Sequence, residues 1–224
     1  MKTFKITLFI TLLFSFLNAS SQTVGIQYYE FLPHYRVQKT MMWCWASCAE
    51  MVLSYEGISL SQEAIVTRVK GAPLPTGGNP YEMIKSTNFI INDINNNAIV
   101  ISGQFVVGAP YNTVLYNQLK HKRPVILTYS TGAWCGHAIV LTGIDYTLNP
   151  DLTITINRFY VFDPFSYSMA TDIMGNQYLK ENPLLIYKMY DLLMYPDGLH
   201  LISGMNNIGL VTGMIFIDAS FLGY

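Results

Sequence analysis

Cys44, His137 and Asp163, with Gln38 six residues ahead of the cysteine, carry the most chemistry in this chain by type and order. The reactive form of cysteine is the thiolate, and an ordinary thiol is mostly protonated at neutral pH. A helix N-terminus favours negative charge through its unpaired N–H groups, and a neighbouring imidazolium favours it further. Cys44 opens a helical pattern, so it is placed for nucleophilic attack. His137 follows Gly136 and opens a strand pattern, where it can act as the proton-transfer partner. Asp163 ends the next strand, inside Val161-Phe162-Asp163-Pro164, and could accept a hydrogen bond from the second ring nitrogen. The side-chain amide of Gln38 could help stabilise the oxyanion of a tetrahedral intermediate. Each residue also has an ordinary use. Cys44 can be a small buried apolar residue, His137 a core or capping histidine, Asp163 a turn former before proline, and Gln38 a loop residue. Their joint order, not any one of them, carries the argument.

The elements that must position them are readable in outline. Trp43–Tyr55 predicts a buried helix, because Ser47, Glu50 and Ser54 form one narrow polar stripe in an apolar segment and Gly57 suits its end. Ser59 with Gln62 predicts a capping box for a helix through about Val69. A Gly/Pro-rich loop covers 71–80. Asn79, Pro80 and Glu82 predict a helix start, with the helix running to about Asp93. A short helix is expected over Asn112–His121. Strands are expected at Val125–Tyr129, Ala138–Ile144, Thr153–Phe162 and Leu210–Ile217, while Leu184–Met194 reads as strand or helix. Helices first and strands second argue for an α+β class rather than alternating α/β.

The block Gln38-Lys39-Thr40-Met41-Met42-Trp43-Cys44-Trp45-Ala46-Ser47-Cys48-Ala49 resembles the Gln-x5-Cys-Trp-Ala block of papain-like cysteine peptidases. It is nearest a bacterial branch with secreted effector and staphopain-like members. Gly136–Gly143 resembles that superfamily's histidine strand, and Val161–Pro164 the segment supplying its third residue. The resemblance implies a two-lobed fold, with a helical N-terminal lobe, an antiparallel β-barrel-like C-terminal lobe and the active site in the cleft between them. It implies peptide-bond hydrolysis through a thioester. Cys44 would be the nucleophile and supply its own backbone N–H to the oxyanion hole. His137 would be the catalytic histidine, Asp163 the orienting residue and Gln38 the oxyanion glutamine. The 26 positions from His137 to Asp163 exceed papain's spacing, and the turn at 146–151 accounts for the difference.

Composition and leader set the context. A basic start, an apolar run over 6–17 and the small polar residues 18–22 describe a secretory signal peptide over 1–21. The run is short for a membrane span, which needs about 20 apolar residues. Residues 22–224 are then expected to form one peptidase domain, secreted or periplasmic, off the membrane and monomeric. Gln38 falls only sixteen residues after Gln22, too close for a long inhibitory pro-segment. With 51% hydrophobic and 12% charged residues the chain is not disordered, and a formal charge of −1 argues against a nucleic-acid partner. Protein or peptide is the expected substrate. The aromatic residues are assigned to the core, so subsite preference is not read from them.

The cysteine count is odd, at three, so at least one thiol is free or paired with another molecule. Cys48 lies one turn after Cys44, and Cys135 two residues before His137. Either they form a bridge that leaves Cys44 as the odd thiol, or both are buried free thiols; spacing leaves both open. Cys44, Cys48, Cys135 and His137 could also be written as zinc ligands, but Cys-x3-Cys and Cys-x-His are loose pairings, and no cofactor or metal is expected. A transglutaminase-like or cell-wall amidase-like enzyme shares the Cys, His, Asp order and the thioester, and a non-catalytic module on the same fold is the remaining alternative.

Overall fold

The computed structural model describes residues 21–92, 96–132, 135–182, 187–194, 200–204 and 207–221. The expected signal segment lies outside the described residues except for Ser21. Among the described residues no helix is long and apolar enough to cross a membrane.

The chain enters through strand β1 (Gln22–Gly25), a short helix α1 (Tyr28–Phe31) and a 3-10 turn over Leu32–His34. The central helix α2 (Cys44–Tyr55) is buried along nearly its whole length. Its end is a Schellman motif: Gly57 takes a positive φ of 83°, its N–H donates to Ser54 O, and the N–H of Ile58 donates to Leu53 O. Only glycine takes this φ without strain, so the helix stops where Gly57 stands. Helix α3 (Gln62–Lys70) is capped by Ser61, whose hydroxyl accepts from the N–H of Ala64. The expected cap, Ser59, is thus replaced by the serine directly before the helix. Helix α4 (Pro80–Ser86) has the full capping box of Asn79 and Glu82.

α4 stops seven residues short of the expected Asp93. Asn88 explains the stop. Its side-chain amide donates to Ile84 O at the helix end and to Gly103 O, and its carbonyl accepts from the Gly103 N–H. The chain is thereby turned into strand β2 (Phe89–Asn92), which pairs with β3 (Ala98–Val107). Three strands, β1, β2 and β3, therefore precede helix α5 (Asn112–Lys120), and the first half of the chain is not purely helical.

The remaining strands are β4 (Val125–Gly132), β5 (Cys135–Leu148), β6 (Ile154–Phe162), β7 (Tyr167–Thr171), β8 (Gln177–Glu181), β9 (Tyr187–Met194), β10 (His200–Gly204) and β11 (Asn207–Phe221). The ambiguous 184–194 segment is a strand over its described part. Among the described residues all pairings are antiparallel. There, β7 and β8 form a separate hairpin, and the other nine strands one sheet. Eight of these follow the order β1-β5-β6-β9-β10-β11-β3-β2, and β4 bridges β11 and β5. The α+β class is as expected. The barrel-like lobe goes further than this antiparallel sheet and belongs to the proposal below.

The sheet is covered on both faces. Ala138 and Val140 of β5 join α2, α3 and Phe162 in one core, while Ile139 and Leu141 join Leu115 and Leu119 of α5 in another. This alternation is the period of a strand buried on both sides. Each fully buried Leu, Ile or Phe contributes about 1.5–3 kcal/mol, so β5 is a rigid platform for His137 near its start.

Candidate active site

Cys44 is the first residue of α2, and the two tryptophans beside it explain their own presence. The Trp43 indole N–H donates to Leu74 O at 2.8 Å, and the Trp45 indole N–H to Thr76 O at 3.4 Å. Together they strap the 72–79 loop onto the helix start. Lys70 pins the same loop, donating to Gly77 O and pairing with Glu82. Gly78 lies so close to Trp45 that a Cβ there would meet the indole at 2.6 Å. The loop and the helix start form one wall of a cavity of about 430 Å³, lined by Met42, Cys44, Trp45, Met83, Phe105 and, opposite, Tyr129 and His137.

His137 comes from β5, directly across from Tyr129 of β4, whose ring meets the imidazole edge-on at 5.7 Å. The Nε2–H donates to Asp163 Oδ1 at 2.8 Å. That leaves Nδ1 as the ring nitrogen for the hydrogen bond between His137 and the Cys44 thiol. Burial opposes ionisation of Cys44, but the His137 hydrogen bond and charge outweigh it, helped by the backbone N–H groups of Ala138 and Trp45. The thiol therefore titrates below its ordinary value. Burial likewise opposes the charged form of His137, yet the hydrogen bonds to Asp163 and Cys44 push its pKa up to about 10. Burial raises Asp163, and the hydrogen bond and charge of His137 with the charge of Lys188 more than reverse it, so this carboxyl stays below the usual range. The site thus favours the thiolate on Cys44, the imidazolium on His137 and the carboxylate on Asp163.

Asp163 performs turn chemistry as well: its Oδ1 also accepts from the N–H of Phe165 at 2.7 Å. Its backbone carbonyl accepts from the Tyr35 hydroxyl. Its Oδ2 accepts from the Lys188 ammonium at 2.6 Å, a contact that sequence reasoning misses. The available signal is a single cation within the apolar run 184–194, although nothing local ties it to Asp163. Asp163 and Lys188 side chains are only 4% and 15% exposed, so this ion pair is well shielded from solvent.

Gln38 is buried beneath the turn ahead of Cys44. Its Nε2 donates to Thr40 O and Met41 O, both at 3.0 Å, and Oε1 has no hydrogen-bond partner among the described residues. Its backbone N–H donates to Pro164 O, which ties the segment before the helix to the turn holding Asp163. The structure thus brings Cys44, His137 and Asp163 into one hydrogen-bonded row, and sets Gln38 behind the turn with both amide hydrogens on carbonyls. Cys48 is a free thiol, fully buried in α2, where burial pushes its pKa well up. The Cys135 side chain lies outside the described residues. Among the described residues no group of three or more His, Cys, Asp or Glu is arranged to hold a metal ion.

A family model described as Peptidase_C39 like family matches residues 32–190, more than half of the chain, and the match spans Gln38, Cys44, His137, Asp163 and Lys188. No curated protein matches the chain.

Proposed function

The chain belongs to the Peptidase_C39-like family, which implies cysteine-type peptidase chemistry, and from this premise we propose that it hydrolyses peptide bonds through a Cys44 thioester. The observation that carries the proposal is the row itself: a thiol on the first residue of a buried helix, hydrogen-bonded to His137, whose Nε2–H donates to Asp163, all beside an open cavity.

In the proposed cycle the Cys44 thiolate attacks the scissile carbonyl carbon, and the carbonyl π-bond opens to an oxyanion. The His137 imidazolium gives its Nδ1 proton to the leaving amine nitrogen as the C–N bond breaks, leaving the acyl group on Cys44. Water then adds to the thioester with neutral His137 taking its proton, and the thiolate leaves. Asp163 holds the ring in the orientation that presents Nδ1 to the sulfur and favours the imidazolium. The Cys44 backbone N–H, at the helix start, is proposed as one oxyanion donor. Gln38 is proposed as the second, with one amide hydrogen swinging from the turn carbonyls to the oxyanion as charge develops. The wider proposal is a papain-like two-lobed enzyme exported by its leader, supported by the basic, apolar and small-polar order of residues 1–22.

The test is active-site labelling with a thiol-directed epoxide, followed by peptide mapping and a casein or peptide-library assay. Modification of Cys44 in step with loss of cleavage is expected. A protein that reacts with the epoxide but transfers acyl groups to amines, or releases peptidoglycan fragments without cutting peptides, would move the assignment to a transglutaminase-like or amidase-like enzyme.

A further inference from the structure

The row of charged groups does not end at Asp163. With their shared proton on either the sulfur or the ring, Cys44, His137 and Asp163 together carry one net negative charge in a mostly buried site. An uncompensated buried charge is costly. Lys188 supplies the missing cation from β9, a strand that pairs with β6, with Val161 opposite Lys188 in the register. Its ammonium takes Oδ2 of Asp163 while Oδ1 is left to His137 and the Phe165 N–H. The carboxylate is thus held by donors on both oxygens, which leaves its plane little freedom to turn away from the imidazole.

We propose that Lys188 is a positioning residue of the active site, orienting the Asp163 carboxylate toward His137 and balancing the charge of the Cys44–His137–Asp163 row. This rests on the peptidase reading above and deepens it. Among the described residues, the titratable groups that face Asp163 are His137 from β5, Lys188 from β9, Tyr35 ahead of α2, and the thiols of Cys44 and Cys48 from α2. Lys188 is thus the cation on the far side of Asp163 from the imidazole.

The sign of its effect follows from charge alone. A cation favours the deprotonated form of every group near it. Removing it therefore makes both Cys44 and His137 hold their protons to higher pH. The acid limb of activity, where the thiol ionises, and the alkaline limb, where His137 loses its proton, both move upward.

The experiment measures the pH dependence of Cys44 alkylation by iodoacetamide, which needs no peptide substrate, beside the kcat/KM profile on a peptide. Wild type, Lys188→Met, Lys188→Gln and Lys188→Arg are compared. Gln keeps an N–H donor without the charge, and it also serves if the Met variant fails to fold. Both neutral variants are expected to shift both limbs upward by about 0.5 unit or more, and Arg to restore them. Limbs that stay in place in the neutral variants, whatever happens to kcat, would overturn the inference while leaving the peptidase reading intact. A wild-type Cys44 that alkylates at pH 6 no faster than a free thiol would overturn the peptidase reading, and this inference with it.

Discussion

Cys44 and Asp163 stand at opposite ends of one hydrogen-bonded row, and the chain builds the two ends by different means. Around Cys44 most parts are close in sequence: the helix start, the flanking tryptophans, the turn over 40–41 and the Gln38 amide beneath it. Around Asp163 the parts arrive mostly from afar: Tyr35, His137 and Lys188, with Phe165 a near neighbour. The nucleophile end is a local structure with reach. The carboxylate end exists only when β5, β6 and β9 are paired. Damage to the first should remove chemistry and spare the fold, whereas damage to the second should affect both.

The largest separation of the two ends comes from Cys44→Ala. Turnover should vanish while the urea-unfolding midpoint changes little, because a small, mostly buried side chain at a helix start is replaced by a good helix former. Residual cleavage by purified variant protein at the wild-type rate would reject Cys44 as the nucleophile.

Asp163→Ala strikes the other end. Activity is expected to fall by about 10³-fold. Stability is expected to fall by about 3 kcal/mol, since Lys188 is left in a shielded site without its counterion. Asp163→Asn is the finer probe. It removes the charge that raises His137, so His137 loses its proton at lower pH and the alkaline limb moves down from its wild-type position near 10. Lys188→Met moves the same limb up. Opposite displacements by two changes in one ion pair would mark electrostatics rather than packing as the cause.

Gln38→Ala tests whether the local end also stabilises the transition state. As an oxyanion donor its loss should lower kcat by about 10²-fold with KM little changed. If only the unfolding midpoint falls and kcat holds, the amide serves the 40–41 turn alone. The smallest effect is expected from Gly78→Ala. The added methyl must displace the Trp45 ring or the loop, costing about 1–3 kcal/mol of local packing. It should raise KM more than it lowers kcat, because the cavity wall moves while the row stays in place.

Much of the local end is legible in the amino-acid order. Helix α2 starts one residue after the expected Trp43, and the Asn79–Glu82 capping box is where the pattern places it. These are signals within one or two turns of chain. The α4 stop is not legible in this way, because it depends on Asn88 reaching Gly103 across a strand pairing. β3 escapes the sequence pattern too, although Ile99 and Ile101 alternate with more exposed neighbours. A helix expected to run to Asp93 leaves that strand no hairpin partner, and β2 is the partner it hides.

The sequence by itself determined the order Gln38, Cys44, His137, Asp163, the helix that opens on the cysteine, and the α+β class. Residue type, cap chemistry and apolar period act over a few positions, so they can be read along a line. Only the tertiary structure decided that Nε2 of His137 meets Asp163, that both Gln38 amide hydrogens lie on the turn carbonyls, and that a lysine from β9 completes the row of charges. Those contacts depend on strand register, and register is set by which apolar faces bury one another across the whole sheet.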